Sequence, residues 1–221
     1  MEKYTRPTRT INFHHPEVVD FVQENSGNSN DPVEQAVNYF YVVRDKIPYD
    51  PYAVYLSEDG LQASTTLKQG RGWCVAKAVL LAACCRYMGI PSRLGFADVK
   101  NHLSTARMRR QMNTDIFYWH AYTSIYLNAN WVKATPAFNI ELCEKFDLKP
   151  LEFDGVKDSI FHPFDLYGNL HMEYIHFRGE YEDVPLEEII ETFNRKYQMQ
   201  HKFWREGNFD QEVEQEVNKS L

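Results

Sequence analysis

An α+β fold, helices first and an antiparallel sheet after them, is predicted by three features of this 221-residue sequence. Up to Met88, apolar residues recur at helical spacing. Beyond Gly89 the period changes to two, the period of strands with one buried face. The tripeptide Asn128-Ala129-Asn130 then separates two such alternating runs, as a tight hairpin turn does. No internal repeat and no dividing linker interrupts the chain. It therefore reads as one domain over residues 1–221, with its motif-bearing core at about 32–140 and a C-terminal strand, helix and acidic tail in 141–221.

Taken in order, residues 1–15 read as extended and polar. "HPEVVDFVQENSG" predicts a short helix with Pro16 in its first turn and Gly27 beyond its end. "NDPVEQAVNYFYVVRDKI" predicts a longer one: Asp31 is the cap, Pro32 the first residue, and Glu34 the far half of a capping box. The prolines of "PYDPYAVY" break it, and a polar loop containing "SEDG" leads to "LKQGRGWCVAKAVLLAACCRYMGIPSR". From Val75 to Met88 that stretch is apolar nearly all round, which predicts a central helix stopped by a left-handed Gly89. "SRLGFADV", "YWHAYTSIYL", "WVKATPAF" and "HMEYIHFRG" are the predicted strands. "PLEEIIETFNRKYQMQ" predicts a closing amphipathic helix, and "DQEVEQEVNKS" a solvated helix or frayed end.

Composition narrows the function. Hydrophobic residues at 43% and charged residues at 25% suit a water-soluble globular protein. A net charge of −7 and a pI near 5.6 argue against nucleic acid as a partner. No apolar run approaches the roughly 20 residues that span a bilayer, and the N-terminus lacks a signal-peptide core, so no membrane partner and a cytoplasmic location are expected. The four cysteines contain no C-x-x-C pair, which predicts free thiols rather than a disulfide framework or structural zinc. Asp154, Asp158, His162 and Asp165 fall at spacings of neither an EF-hand nor a zincin; neither a metal nor any other cofactor is expected. Arg107, Arg109 and Arg110 read either as a solvated face or as a cleft rim that attracts an acidic substrate.

The chemistry concentrates on Cys74. It sits where the central helix begins, with unpaired N–H groups and the positive end of the dipole at its sulfur, a setting that favours the nucleophilic thiolate. Gly70 and Gly72 allow the preceding loop to turn and leave room for substrate. His120 follows on a strand, and a helix-mouth cysteine with a strand histidine is how Cys–His enzymes assemble nucleophile and base. A polar residue near the end of the returning strand would orient the imidazole. Cys84, Cys85 and Cys143 read as packing residues.

"GRGWCVAKAVLLAACCRYMGIPSRLGF" followed by "HAYTSIYLNANWVKATPAFN" resembles the transglutaminase-like superfamily, relatives of papain-type cysteine proteases. The likeness runs from about Leu67 to Asn139, with weaker support from "IPYDPY". It implies a papain-like core in which the Cys-bearing helix packs on the antiparallel sheet. It also implies Cys74 as nucleophile and His120 as base, with a third member just before a proline. That third position, an aspartate in the family, is Thr135 here. A hydroxyl can fix the imidazole tautomer but brings no charge, so Asn139 and Asp154 are alternative orienters. The Cys74 N–H, the Gln69 side chain and the Trp73 indole are oxyanion candidates. Acyl transfer through a thioester follows, with water as the favoured acceptor and a peptide, protein or small amide as substrate. The contrasting expectation is a catalytically degenerate module that binds a peptide or ligand in the same cleft.

Overall fold

Proline starts the first two helices. α1 (Pro16–Glu24) and α2 (Pro32–Lys46) carry it in the first turn, where its missing N–H would have no partner anyway. Asp31 caps α2 as predicted, its Oδ1 accepting from the Val33 and Glu34 N–H groups at 2.7 and 3.2 Å. The capping box is not closed, because the Asp31 N–H donates to Ser29 Oγ instead of Glu34. The structure, a computed structural model, describes residues 1–101, 104–161, 163–197 and 207–220.

A short helix that its polar composition conceals, α3 (Ala63–Gln69), ends at Gly70, whose φ of 64° is left-handed. The central helix α4 (Cys74–Tyr87) is buried on every side from Cys74 to Arg86, as its unbroken apolar pattern predicts. Gly89 (φ 75°) closes it: its N–H donates to Arg86 O at 3.0 Å and the Ile90 N–H to Cys85 O at 2.9 Å, the paired bonds of a Schellman stop.

The four predicted strands form one antiparallel sheet: β1 (Ser92–Asn101), β2 (Ile116–Leu127), β3 (Asn130–Ala134) and β4 (Met172–Tyr181), in the order β3-β2-β1-β4. Asn128 and Ala129, with φ of 47° and 65°, make the turn between β2 and β3, the twist such a hairpin needs. α4 packs on β1 and β2, and the buried Thr123 Oγ1 ties strand to helix by donating to Ala78 O at 2.9 Å. α2 closes the far side of α4 with Tyr39, Phe40 and Val43. The α+β class and the Cys-bearing helix on the sheet are therefore as predicted.

β3 is shorter than its sequence suggests. It ends at Ala134, which bridges Ser159 in parallel, and the Thr135 N–H donates to Ser159 O at 3.0 Å. The remaining α-helices among the described residues are α5 (Ala106–Met112) in the arginine-bearing insertion, α6 (Ile140–Lys145), α7 (Leu186–Tyr197) and α8 (Phe209–Ser220), and Glu2–Thr5, within the stretch expected to be extended, forms a short 3-10 helix. Residues 198–200 of the predicted closing helix lie outside the described residues. Among those described, no helix is long and apolar enough to cross a membrane.

Candidate active site

The loop before α4 is pinned from the side. Gly72 bridges Tyr49, with its N–H on Pro48 O and its carbonyl accepting from the Asp50 N–H, both at 3.1 Å. A Cβ on Gly72 would meet Ala76 Cβ at 3.1 Å and Thr66 Cγ2 at 3.3 Å. The space that the missing side chain leaves is thus filled by the protein itself, not kept for a substrate. Trp73 is the N-cap of α4 and offers no capping side chain. Cys74 therefore begins the helix with backbone N–H groups around its sulfur.

Burial outweighs those donors. Cys74 is 6% exposed, and its thiol is pushed up to about 11 by burial, against the pull of the Ala121, Val75 and Cys74 N–H groups. The lowered value expected from the helix start alone is not reached in this closed arrangement. His120, 5% exposed, is driven down to about 3 by burial. Thiol and imidazole are both neutral at rest.

The two side chains line one cavity of about 40 Å³, room for about three waters at 10–15 Å³ each. Its other walls include Tyr49, Trp73, Met108, Phe117, Phe193 and Tyr197, with no Asp, Glu, Lys or Arg among the described residues. The Trp73 indole N–H is buried without a partner among the described residues. Gln69 does not line the cavity; it is the half-exposed last residue of α3.

Among the described residues, no hydrogen bond orients the imidazole through Nε2. His120 Nε2 and Thr135 Oγ1 are both buried and lack hydrogen-bond partners among the described residues. Tyr174 interacts with the Thr135 hydroxyl but falls short of hydrogen-bond geometry, and its own oxygen accepts from the Phe161 N–H at 3.4 Å. Asn139 is spent elsewhere: its Oδ1 accepts from the Tyr49 N–H at 3.0 Å and its Nδ2 donates to Glu141 at 2.6 Å. Asp154 lies on the surface, accepting from the Val156 and Lys157 N–H groups at 2.8 Å each. As placed, neither alternative orients His120.

Arg107 pairs with Glu212 at 3.0 Å and Arg109 with Glu216 at 3.5 Å, both on α8, so these two arginines hold a helix in place, while Arg110 is exposed. His162 lies outside the described residues, and among those described no three His, Cys, Asp or Glu side chains gather as a metal would require. All four cysteines are buried free thiols.

The family model described as the transglutaminase-like superfamily matches residues 19–136, just over half of the chain. The chain belongs to that superfamily. A search of curated proteins finds none that matches. Among solved structures, a protein from Cytophaga hutchinsonii, provisionally assigned as a cysteine protease, is similar at 18% identity and a TM-score of 0.46, over 61% of this chain and 40% of that one.

Within this transglutaminase-like chain, three further residues contribute to the site. Lys77, fully buried one turn beyond Cys74, donates to Arg44 O at 2.9 Å and Ala137 O at 2.7 Å. It fastens the loop after Thr135 to α4, and burial holds its amine well below the usual lysine range. A lysine within an apolar helix face was the available signal. Phe193 and Tyr197 of α7 close the cavity from beyond the family-matched stretch, and no local pattern marks where α7 docks.

Proposed function

We propose that this chain is a thiol-dependent acyl-transfer enzyme, a cysteine hydrolase of amides or esters. The observation that carries the reading is that Cys74, at the mouth of α4, and His120, on β2, line one cavity. In the reaction, His120 takes the Cys74 proton as the sulfur bonds to the substrate carbonyl carbon. The Cys74 N–H and the Trp73 indole receive the oxyanion. Collapse expels the leaving amine or alcohol, which takes the proton from His120, and a thioester remains. Water, giving a proton to His120, then breaks the C–S bond and restores the thiol. The uncharged walls favour an apolar acyl group over a charged one.

A second reading has an observation of its own. Among the described residues His120 Nε2 has no acceptor, as in a degenerate site that retains its cleft for binding. Alkylation of the four thiols by iodoacetamide at pH 7.5, followed by peptide mass spectrometry, separates the two. An enzyme is expected to label at Cys74 at least about tenfold faster than at Cys84, Cys85 or Cys143, with the excess lost in His120→Gln. Equal rates at all four thiols would leave the binding module.

A further inference from the structure

Asp98 is a carboxylate, 6% exposed, in the middle of β1, and no step of the proposed reaction uses it. On β1, Ala97 pairs with His120 and Val99 with Phe117. Asp98 therefore stands opposite two residues of β2, Tyr118 and Trp119, which makes a β-bulge. The bulge resets the alternation of β2. Phe117, Tyr118 and His120 all line the cavity, whereas in a regular strand neighbours such as Phe117 and Tyr118 face opposite ways.

The backbone at the bulge is unusual and is held from one side. Trp119 takes φ 63°, a left-handed conformation that bulky residues rarely adopt. Its N–H donates to Asp98 Oδ1 at 3.2 Å. Arg178 on β4 grips the same carboxylate in a fork, Nε to Oδ1 at 2.5 Å and Nη2 to Oδ2 at 2.9 Å. Its guanidinium carbon lies 4.4 Å from the centroid of the Trp119 ring. Trp119 immediately precedes His120, so whatever fixes its φ fixes where the imidazole points.

We infer that Asp98, clamped by Arg178, is a positioning residue that aims His120 into the cavity by holding the bulge at Trp119. The role rests on the thiol-enzyme reading above. It answers a need of this particular site: among the described residues no acceptor meets His120 Nε2, and Phe161, with ring centroids 5.2 Å apart, is an apolar neighbour. The direction of the imidazole then rests on the backbone behind it. Asp98 and Arg178 supply from the adjacent strands the constraint that a third catalytic member supplies elsewhere through the ring.

The test compares the pH profile of Cys74 alkylation by iodoacetamide in four variants. Asp98→Leu/Arg178→Met replaces the ion pair by apolar groups of similar volume, an exchange that folds usually tolerate, but removes the acceptor for the Trp119 N–H. It is expected to lose the His120-dependent part of the profile and to react about 10- to 100-fold more slowly than the wild type near neutral pH, as small misplacements of a catalytic group do. Asp98→Asn keeps an acceptor oxygen and is expected to stay within about threefold of wild type. His120→Gln sets the baseline. A double variant with the wild-type melting temperature and profile would overturn the positioning role while leaving His120 as the base. A His120→Gln profile equal to wild type would remove the base, and the positioning role with it. Arg178→Met alone frees the carboxylate from its clamp and is expected to fall between wild type and the double variant. If the double variant does not fold, a wild-type profile in Arg178→Met overturns the clamp.

Discussion

His120 enters the folded protein as a neutral imidazole because burial drives its pKa down to about 3, whereas an unfolded chain protonates it near pH 6.5. Between those values the unfolded state binds a proton that the native state refuses. The stability due to this group is complete above about pH 6.5 and is lost as the pH falls toward 3, by up to about 1.4 kcal/mol per pH unit. Carboxylates titrate in part of the same range, so the informative quantity is the difference between wild type and His120→Gln in urea midpoints taken from pH 7 to 4. The wild type is expected to lose stability more steeply. Thr135→Asp is expected to flatten the wild-type slope, because a carboxylate within reach of Nε2 raises the imidazole pKa. An unchanged slope would mean that position 135 does not reach the ring. At this scale the sequence marks Cys74 and His120 by their places in motif and pattern. It does not reveal their burial, which reverses the pKa expected from a helix start. Nor does it set Asp98 apart from any polar residue in an alternating strand, since its meaning depends on a bulge in the neighbouring strand.

Among the elements, long and strongly patterned segments are readable and short ones are not. α2, α4 and the four strands declare themselves by period, caps and turn residues. α3 and α6, of seven and six residues, span too few turns for a period to emerge, and tertiary contacts fix them. Two glycines show how differently one residue type serves its element. Gly89 ends α4 at φ 75°, with nothing within 4 Å of an added Cβ. Gly89→Ala is therefore expected to cost only backbone strain, about 1 kcal/mol, and to lower the melting temperature by about 2–4 °C in a chain of this size. Cys74, at the other end of the helix, should react as before. Gly95 lies in β1 beneath the Tyr122 ring, and a Cβ there would meet Cε2 and Cζ at 2.1 Å. Gly95→Ala is expected to destabilise by about 1–3 kcal/mol through overpacking. In a Tyr122→Ala background, which removes the ring, Gly95→Ala is expected to cost less than in the wild type, and thermal melts of the four proteins of the cycle check it. Equal effects of the two glycine substitutions would mean that strain and crowding had been wrongly separated.

Across the whole molecule, the segments after the family-matched stretch decide whether Cys74 can be reached. Phe193 and Tyr197 of α7 are walls of the cavity, and the Tyr197 hydroxyl joins α7 to β2, accepting from the Tyr118 N–H at 2.7 Å and donating to Ile116 O at 3.2 Å. α8 braces the neighbouring wall: its Glu212 and Glu216 hold the arginines of α5, and its Phe209 ring sits 6.0 Å from Tyr49 and 5.9 Å from Tyr52. The amphipathic pattern of α7 is plain in the sequence, but its seat over the cysteine is a long-range contact that no local pattern encodes. A cavity of about 40 Å³ is small for a peptide, and α7 is one wall whose movement would enlarge it. Tyr197→Phe keeps the ring in the wall and removes both hydroxyl bonds, each worth about 0.5–1.5 kcal/mol. If loosening α7 opens the cavity, Cys74 alkylation is expected to rise by about tenfold, since 1.4 kcal/mol is a factor of ten in an opening equilibrium. Cys84 and Cys85, buried deeper in α4, should label as slowly as before. A parallel rise at all three thiols would indicate global unfolding rather than local opening. An unchanged rate at Cys74 would place the entrance elsewhere, most directly along the α5 wall, where Met108 and Met112 line the same cavity.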